Sequence, residues 1–154
     1  MNPAHIHLML NHIPILGVPI AAAFLAHSIA KGNESNRNFA LFVLTLVSFA
    51  IIPVYFSGEP AEGVIEHLPG VMEDFIAAHE DSALLSLIVT RVAGLSAFMA
   101  LALGQKNEKG QLAEIIALAA AVLATLSLGY TGYLGGKVRH TEVRDSGTIS
   151  RNSK

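Results

Sequence analysis

The chain has 154 residues, of which 52% are hydrophobic and only 14% are charged, and its formal net charge is −2. A soluble domain of this length could not bury so much apolar surface, and a nearly neutral chain without a basic patch is not expected to bind nucleic acid. The absence of cysteine excludes disulfides, thiolate metal sites, iron–sulfur clusters and covalently attached c-type haem. The apolar residues form long blocks with the charges between them, which predicts an integral membrane protein solvated by a lipid bilayer.

The first apolar block extends over Pro3–Ala30. Asn2 before a proline is typical of a helix cap followed by the first helical residue. No Lys or Arg precedes the block, so we expect a retained membrane span rather than a cleaved signal peptide. Pro14 and Pro19 predict either a kink in this helix or a separate short interfacial helix over residues 3–11.

Three more spans follow, and they are predicted over residues 39–56, 71–103 and 112–135, with the bilayer portion of the third starting near Ala83. The connection between the second and third spans is acidic and carries no Lys or Arg, and we expect part of it to lie at the membrane surface. The polar tail is expected to fray after Arg144, which gives a membrane domain over residues 1–144 and a flexible tail over residues 145–154. The fold class is therefore all-α: an integral membrane four-helix bundle with a kinked first helix and a partly interfacial connection between its second and third spans.

This topology gathers histidines that are distant in sequence. We call the face at which the chain begins side A and the opposite face side B. Four crossings bring six histidines to side A or just below it: His5, His7, His12, His67, His79 and His140. Only His27 is expected near side B.

The basic residues of the short loops indicate the orientation. The two side-B loops carry Lys31, Arg37, Lys106 and Lys109, whereas the long side-A connection carries no base. Because positive loops stay in the cytoplasm, side A is expected to be the outer face, with both termini in the periplasm. The bases that follow the fourth span oppose this assignment.

His12 and His79 are the first candidates for chemistry. The first and third helices run in the same direction, so the two imidazoles are expected at similar depth. Two histidines that face each other from neighbouring membrane helices are the usual axial ligands of a b-type haem, which needs no cysteine. His7 and His140 are candidates for a second haem. The structural alternative is that each imidazole forms a hydrogen bond with a backbone carbonyl at the membrane interface and binds no cofactor.

A non-haem metal site is the competing interpretation. His5, His7, His12, His79 and His140 are its candidate ligands, because imidazole suits Zn²⁺, Cu²⁺ and iron. The spacing of these histidines matches no established metal motif. For His5 and His67 a position at the hydrated membrane interface, without a bound metal, is the slightly better explanation.

Arg91 is the sole basic residue inside a predicted span. A charge within the bilayer is energetically costly, so a pairing or functional role is expected for it. Its candidate partners are a carboxylate, a haem propionate or a quinone oxygen. Arg91 lies 12 residues past His79, roughly 18 Å along a helix, so one small ligand is not expected to touch both residues.

Three motifs resemble those of a domain-of-unknown-function family of small four-helix bacterial membrane proteins with an N-terminal His-x4-His-x-Pro motif. They are HLMLNHIPI over residues 7–15, HEDSA over residues 79–83, and GYLGG over residues 132–136 followed by His140. The resemblance implies a four-helix protein of the bacterial inner membrane that binds haem or metal through these histidines. Ile13 stands where the family often has Phe, and His5 is an additional histidine.

Three hypotheses follow. The first is a b-type cytochrome-like electron-transfer protein that exchanges electrons with a quinone or a redox partner protein. The second is a non-haem membrane protein that binds Zn, Cu or Fe. The third is a structural or assembly subunit, acting as an oligomer or within a membrane complex. The sequence does not decide whether the protein catalyses a reaction.

Overall fold

The structure is a computed structural model, and it describes residues 1–104, 106–140, 142 and 144. Over these residues the chain forms helices and no strand. The helices are α1 (Pro3–Ala30), α2 (Glu34–Phe56), α3 (Gly58–Ile65), α4 (Glu73–Leu103) and α5 (Glu108–Arg139). The short α3 continues α2 after Ser57, so the long helices number four and the predicted all-α four-helix bundle is confirmed. Residues 145–154, assigned to a flexible tail, lie outside the described residues.

Four segments are long and apolar enough to cross a membrane: Pro3–Ala30, Glu34–Ile65, Glu73–Leu103 and Glu108–Arg139. A bilayer core about 30 Å thick needs about 20 apolar residues per helix, and each segment exceeds that length. Large apolar side chains cover the outside of the bundle, where many are about half exposed; examples are Ile20, Phe42, Leu85, Leu123 and Leu126. An apolar exterior of this kind is the surface that lipid tails solvate, so the chain is a multi-pass membrane protein.

The helix α1 runs without a break from Pro3 through Pro14 and Pro19 to Ala30. Residues 3–11 therefore do not form a separate interfacial helix, which was one of the two expected outcomes. The Asn2 side chain accepts a hydrogen bond from the backbone N–H of His5 at 2.9 Å and caps the first turn. Because α1 is continuous, the face on which each of its histidines lies follows from helical periodicity alone.

The helices form a ring in the order α1, α2, α4, α5, so that α1 and α4 lie diagonally opposite. The turn from α1 to α2 uses Gly32 in the left-handed region (φ 64°), and Asn33 caps α2. Because α3 packs mainly on α1, the connection after Phe56 stays beside the side-A end of the bundle.

Small residues let the helices approach closely on the side-B half. A Cβ on Gly94 of α4 would overlap the side chain of Ser48 on α2. Alanines of α4 and α5 lie in the core on this half, and all are fully buried: Ala93, Ala97, Ala100, Ala117, Ala121 and Ala124. Close packing of small residues is a main source of helix association in lipid.

An ion pair joins α2 to α5 near side B. Arg37 binds Glu114 through two hydrogen bonds, one from its Nε to Oε1 at 2.8 Å and one from its Nη2 to Oε2. The Glu114 side chain is only 3% exposed, and that of Arg37 is 21% exposed. The two hydrogen bonds from the guanidinium group offset the free-energy cost of burying the Glu114 carboxylate.

Candidate functional site: a histidine pair at the side-A end of the bundle

Two histidines from diagonally opposite helices meet near side A. The ring centroids of His7 on α1 and His79 on α4 lie 6.5 Å apart, and the ring planes are nearly perpendicular at 88°. Both side chains are partly buried. The pair occupies the middle of the bundle end, because α1 and α4 face each other across its centre.

His79 is held by α5. Its Nδ1 lies 3.0 Å from the backbone carbonyl oxygen of Thr131. A carbonyl only accepts hydrogen bonds, so Nδ1 must carry the proton and donate it. A Cβ on Gly135 would lie 3.1 Å from Cε1 of the same ring, so the glycine lets the imidazole pack against the α5 backbone. These contacts fix both the orientation and the tautomer of neutral His79.

His7 is held at the junction of α2 and α3. Its Nδ1 lies 2.8 Å from Oγ of Ser57. The Ser57 hydroxyl donates its one hydrogen to the carbonyl oxygen of Val54 at 2.7 Å. The hydroxyl oxygen is therefore left to accept, and Nδ1 of His7 must be the donor. His7 and His79 thus have the same tautomer for the same physical reason.

The two Nε2 atoms are consequently the free nitrogens of the pair. The hydrogen bonds that hold the two rings use Nδ1, and none to an Nε2 atom is seen among the described residues; the backbone of Val54 also interacts with the His7 ring. In the neutral rings each Nε2 carries a lone pair and no hydrogen. A ligating histidine typically donates its other N–H to a carbonyl or a similar group, which is the arrangement seen at both rings.

A ladder of hydroxyl groups continues from His79 toward the membrane centre. Thr131 Oγ1 lies 2.6 Å from Oγ of Ser82 and 2.9 Å from Oγ of Ser86. Ser86 in turn lies 2.7 Å from Oγ of Ser127. Thr90, one turn further along α4, is fully buried, and its Oγ1 has no partner among the described residues. The side-A half of the α4–α5 interface is therefore polar.

Two carboxyl groups lie beside the pair. Glu80, next to His79 in the chain, interacts electrostatically with that imidazole. Glu62 on α3 lies close enough to Glu80 for the two carboxyl groups to interact. An acid next to a candidate ligand can pass protons to the site.

His12, the first candidate ligand, lies elsewhere. Its side chain is exposed, and its Nδ1 lies 2.6 Å from the carbonyl oxygen of Leu8 on its own helix. The expectation that His12 faces His79 is therefore wrong for this structure, in which His7 occupies that position. The cause is helical phase: Pro14, which lies seven residues after His7, is buried, whereas His12 shares its face with exposed Leu16 and Ile20.

The remaining histidines are also separate from the pair. His5 and His67 are exposed, as is His27 near side B. His140 is exposed and lies 2.9 Å from Oε1 of Glu142. The pKa of Glu142 is lowered, first by its own backbone N–H and then by His140. Of the candidate metal ligands His5, His7, His12, His79 and His140, the structure brings together only His7 and His79.

Arg91 lies far from the histidines, as its spacing predicts. Its Nη1 donates to the carbonyl oxygen of Ser48 on α2 at 2.9 Å, and its guanidinium carbon lies 4.4 Å from the ring centroid of Phe49. It therefore belongs to the interface between α2 and α4 and not to the end of the bundle.

Sequence reasoning ranked His7 below His12 and missed the residues that hold the pair in place: Ser57, Thr131 and Gly135. A heptad signal was present, since His7, Pro14, Ala21 and Ser28 are spaced seven apart and the last three are buried. Their shared periodicity identifies the inward face of α1. No sequence pattern indicates the contacts of Ser57 with His7 and of Thr131 with His79, because each contact joins residues about 50 positions apart.

A metal ion and a haem need different numbers of ligands from the protein. Within residues 1–104, 106–140, 142 and 144, no group of three or more His, Asp or Glu side chains is arranged to hold a metal ion. A structural zinc site takes four protein ligands and a catalytic one three. Haem iron takes at most two from the protein, because the macrocycle supplies the other nitrogens. Two imidazoles with free Nε2 atoms therefore fit haem iron in number and chemistry.

No family model matches this chain, and no curated protein or solved structure is significantly similar to it. The family resemblance drawn from residues 7–15 therefore stays a prediction.

Proposed function

We propose that the protein is a membrane b-type cytochrome-like electron-transfer protein, in which His7 and His79 would hold one haem at side A. The observation that carries this proposal is the pair of neighbouring imidazoles, whose ring centroids lie 6.5 Å apart and whose Nδ1 atoms are both engaged in hydrogen bonds. The haem, when bound, supplies one-electron redox chemistry.

The number of ligands supports a haem over a compact metal site. Only His7 and His79 meet here, with ring centroids 6.5 Å apart. A zinc site takes three or four protein ligands, whereas two imidazoles would hold a haem.

The neighbouring residues act by positioning the ligands. Thr131 and Ser57 hold the two Nδ1–H groups, so that each Nε2 keeps its lone pair without a rearrangement of the ring. Gly135 provides the space in which the His79 ring lies. Glu80, the next residue after His79, and Glu62, which interacts with Glu80, would pass protons between the histidine pair and water.

The cellular setting of the proposal is the bacterial inner membrane. The bases of the side-B loops and the base-free connection on side A support a periplasmic haem end, with both termini outside. Electrons would be exchanged with a quinone or a redox partner protein, and the chain would act alone, as an oligomer or as a subunit of a membrane complex. His140, exposed beside Glu142, is not assigned to a second haem.

The test is an absorption spectrum of detergent-purified protein, expressed with ample haem supply and recorded oxidised and dithionite-reduced. We expect a Soret band that sharpens on reduction and is absent from His7→Ala and His79→Ala. His12→Ala and His5→Ala are matched controls, because both side chains are exposed histidines of the same helix, and both variants should keep the full spectrum. A spectrum that is lost in His12→Ala and kept in His7→Ala would overturn the ligand assignment.

A folding defect is separated from a ligand defect by His79→Met. Methionine can replace one axial histidine of a haem and raises its reduction potential, so we expect bound haem with an altered spectrum and a higher midpoint potential. A colourless wild-type protein would overturn the cytochrome proposal. Elemental analysis for zinc, copper and iron would then separate a non-haem metal protein from a structural subunit.

A further inference from the structure

Arg91 carries a charge deep inside the membrane-spanning part of α4. Between Ser82 and Leu103 the sequence has no other charged residue. Arg91 lies 12 residues before Leu103, the last residue of α4, which is roughly 18 Å along the helix. With a hydrocarbon core about 30 Å thick, the guanidinium is well below the lipid head groups.

The hydrogen-bonding capacity of this guanidinium is largely unused. An arginine has five N–H donors, and one of them, on Nη1, binds the carbonyl oxygen of Ser48. Among the described residues no carboxylate lies within ion-pair distance of Arg91. Water is scarce at this depth, so the other donors need an acceptor from the neighbouring backbone or an oxygen that arrives from the bilayer.

The surroundings of Arg91 form a surface open to lipid. The guanidinium lies over the face of Phe49, whose side chain is 53% exposed. Ile88 and Leu95, one turn before and after Arg91 on α4, are 53% and 52% exposed. Arg91 itself is partly exposed. The charged group is therefore reachable from the side of the bundle, between α2 and α4, by a molecule dissolved in the membrane.

The Ser48 carbonyl fixes the guanidinium in this place. Ser48 approaches α4 closely enough to fill the position that a Cβ on Gly94 would take. Pro53 has no N–H, so the carbonyl of Phe49 lacks its usual donor within α2, and the backbone is locally rich in acceptors. The arginine is thus held by Ser48 through one of its five N–H donors.

We infer that Arg91 and Phe49 form a binding site for a membrane-dissolved molecule with a flat ring and a carbonyl oxygen, which is the chemistry of a quinone. The guanidinium donates to the carbonyl oxygen, and the aromatic face of Phe49 packs against the ring. A phospholipid phosphate stays at the head groups, and the nearer end of the bilayer portion of α4, near Ala83, is roughly 12 Å from Arg91 along the helix. This inference does not rest on the histidine pair, because Arg91 contacts none of its residues.

The experiment uses the full-length protein in lipid nanodiscs, with Phe49→Trp as a fluorescent reporter in a chain that has no native tryptophan. Tryptophan preserves the aromatic platform under the guanidinium. Titration with decylubiquinone should give saturable quenching. Adding Arg91→Lys, which keeps the charge but loses the planar fork, should raise the Kd by about tenfold.

The control is Leu123→Trp, because Leu123 is 59% exposed and lies near the middle of α5, away from Arg91. Quinone that merely dissolves in the lipid should quench this reporter linearly and without saturation. Linear quenching of equal slope at both positions would overturn the inference. A saturable change of the tryptophan fluorescence on adding oleate, with no saturable effect of quinone, would also overturn it, since the site would then recognise a carboxylate.

The two proposals can fail separately. Phe49→Trp combined with His79→Ala should bind quinone with unchanged Kd if the Arg91 site is independent, whatever the haem content. A quinone affinity that disappears with the histidine would overturn the assignment of the site to Arg91 and Phe49.

Discussion

The two halves of the α4–α5 interface are built differently. Toward side A it contains an imidazole and a ladder of hydroxyl groups, formed by His79, Ser82, Ser86, Ser127 and Thr131. Toward side B these two helices carry buried alanines, and Glu114 of α5 is paired there with Arg37 of α2. The same two helices thus carry a polar half and an apolar half.

The difference indicates which half holds the fold together and which is available for chemistry. Interhelical hydrogen bonds in membrane proteins contribute only about 0.6 kcal/mol each on average. The polar half therefore adds little stability for the number of polar groups that it buries. Close packing of small residues and one nearly buried ion pair stabilise the other half. The stability of the bundle therefore does not depend on the histidines, which are available for a functional role. Four substitutions sharpen or break this comparison.

The largest effect is expected from Arg37→Ala at the apolar half. It leaves the Glu114 carboxylate, 3% exposed, without its partner, and we expect a loss of about 3–5 kcal/mol of unfolding free energy. Equilibrium unfolding in mixed detergent micelles measures it. The double variant Arg37→Leu, Glu114→Leu should recover most of the loss, and Lys106→Ala, at an exposed base, should change little. A small effect of Arg37→Ala would show that the ion pair does not stabilise this half.

The next effect is expected from Gly94→Ala. The added methyl group overlaps the side chain of Ser48, and overpacking of this kind costs about 1–3 kcal/mol. The same unfolding assay applies, with Gly129→Ala as the matched control in another membrane helix. No atom lies within 4 Å of a Cβ on Gly129, so that variant should gain about 0.5–1 kcal/mol. Equal behaviour of the two variants would contradict the close approach of α2 and α4.

A smaller effect is expected from Thr131→Val at the polar half. The substitution keeps the shape and removes the hydroxyl that bonds Ser82 and Ser86, so we expect a loss of about 1 kcal/mol. The backbone carbonyl that holds His79 is retained, so any haem spectrum should persist. Thr125→Val is the control, because that hydroxyl bonds only the Ala121 carbonyl of its own helix. A loss as large as that of Arg37→Ala would remove the distinction between the halves.

The smallest effect is expected from Thr90→Val, where the two halves meet. The Thr90 hydroxyl is fully buried without a partner, so its removal should change stability by less than about 0.5 kcal/mol or increase it. Thermal unfolding of the detergent-solubilised variant measures this. A loss above about 1 kcal/mol would reveal that the hydroxyl binds a buried water, which would extend the polar half toward the membrane centre.

The amino-acid sequence by itself determined the membrane class, the four long helices and the end of the bundle at which most histidines lie. These follow from hydropathy, helix caps and chain direction, which are local properties that act over one helix at a time. The isolated position of Arg91, far from His79, also followed from the rise of a helix per residue.

Only the tertiary structure decided which histidines meet. Helical phase alone directs His7 inward and His12 outward, but the choice of partner depends on α1 and α4 lying diagonally opposite, with Ser57 and Thr131 brought in from two other helices. The same holds for Arg37 with Glu114, 77 positions apart, and for Arg91 with Ser48. Such contacts depend on the order of the helices in the bundle and on the rotation of each helix about its axis. Both are determined by the packing of all four helices together, so the sequence of one helix does not encode them.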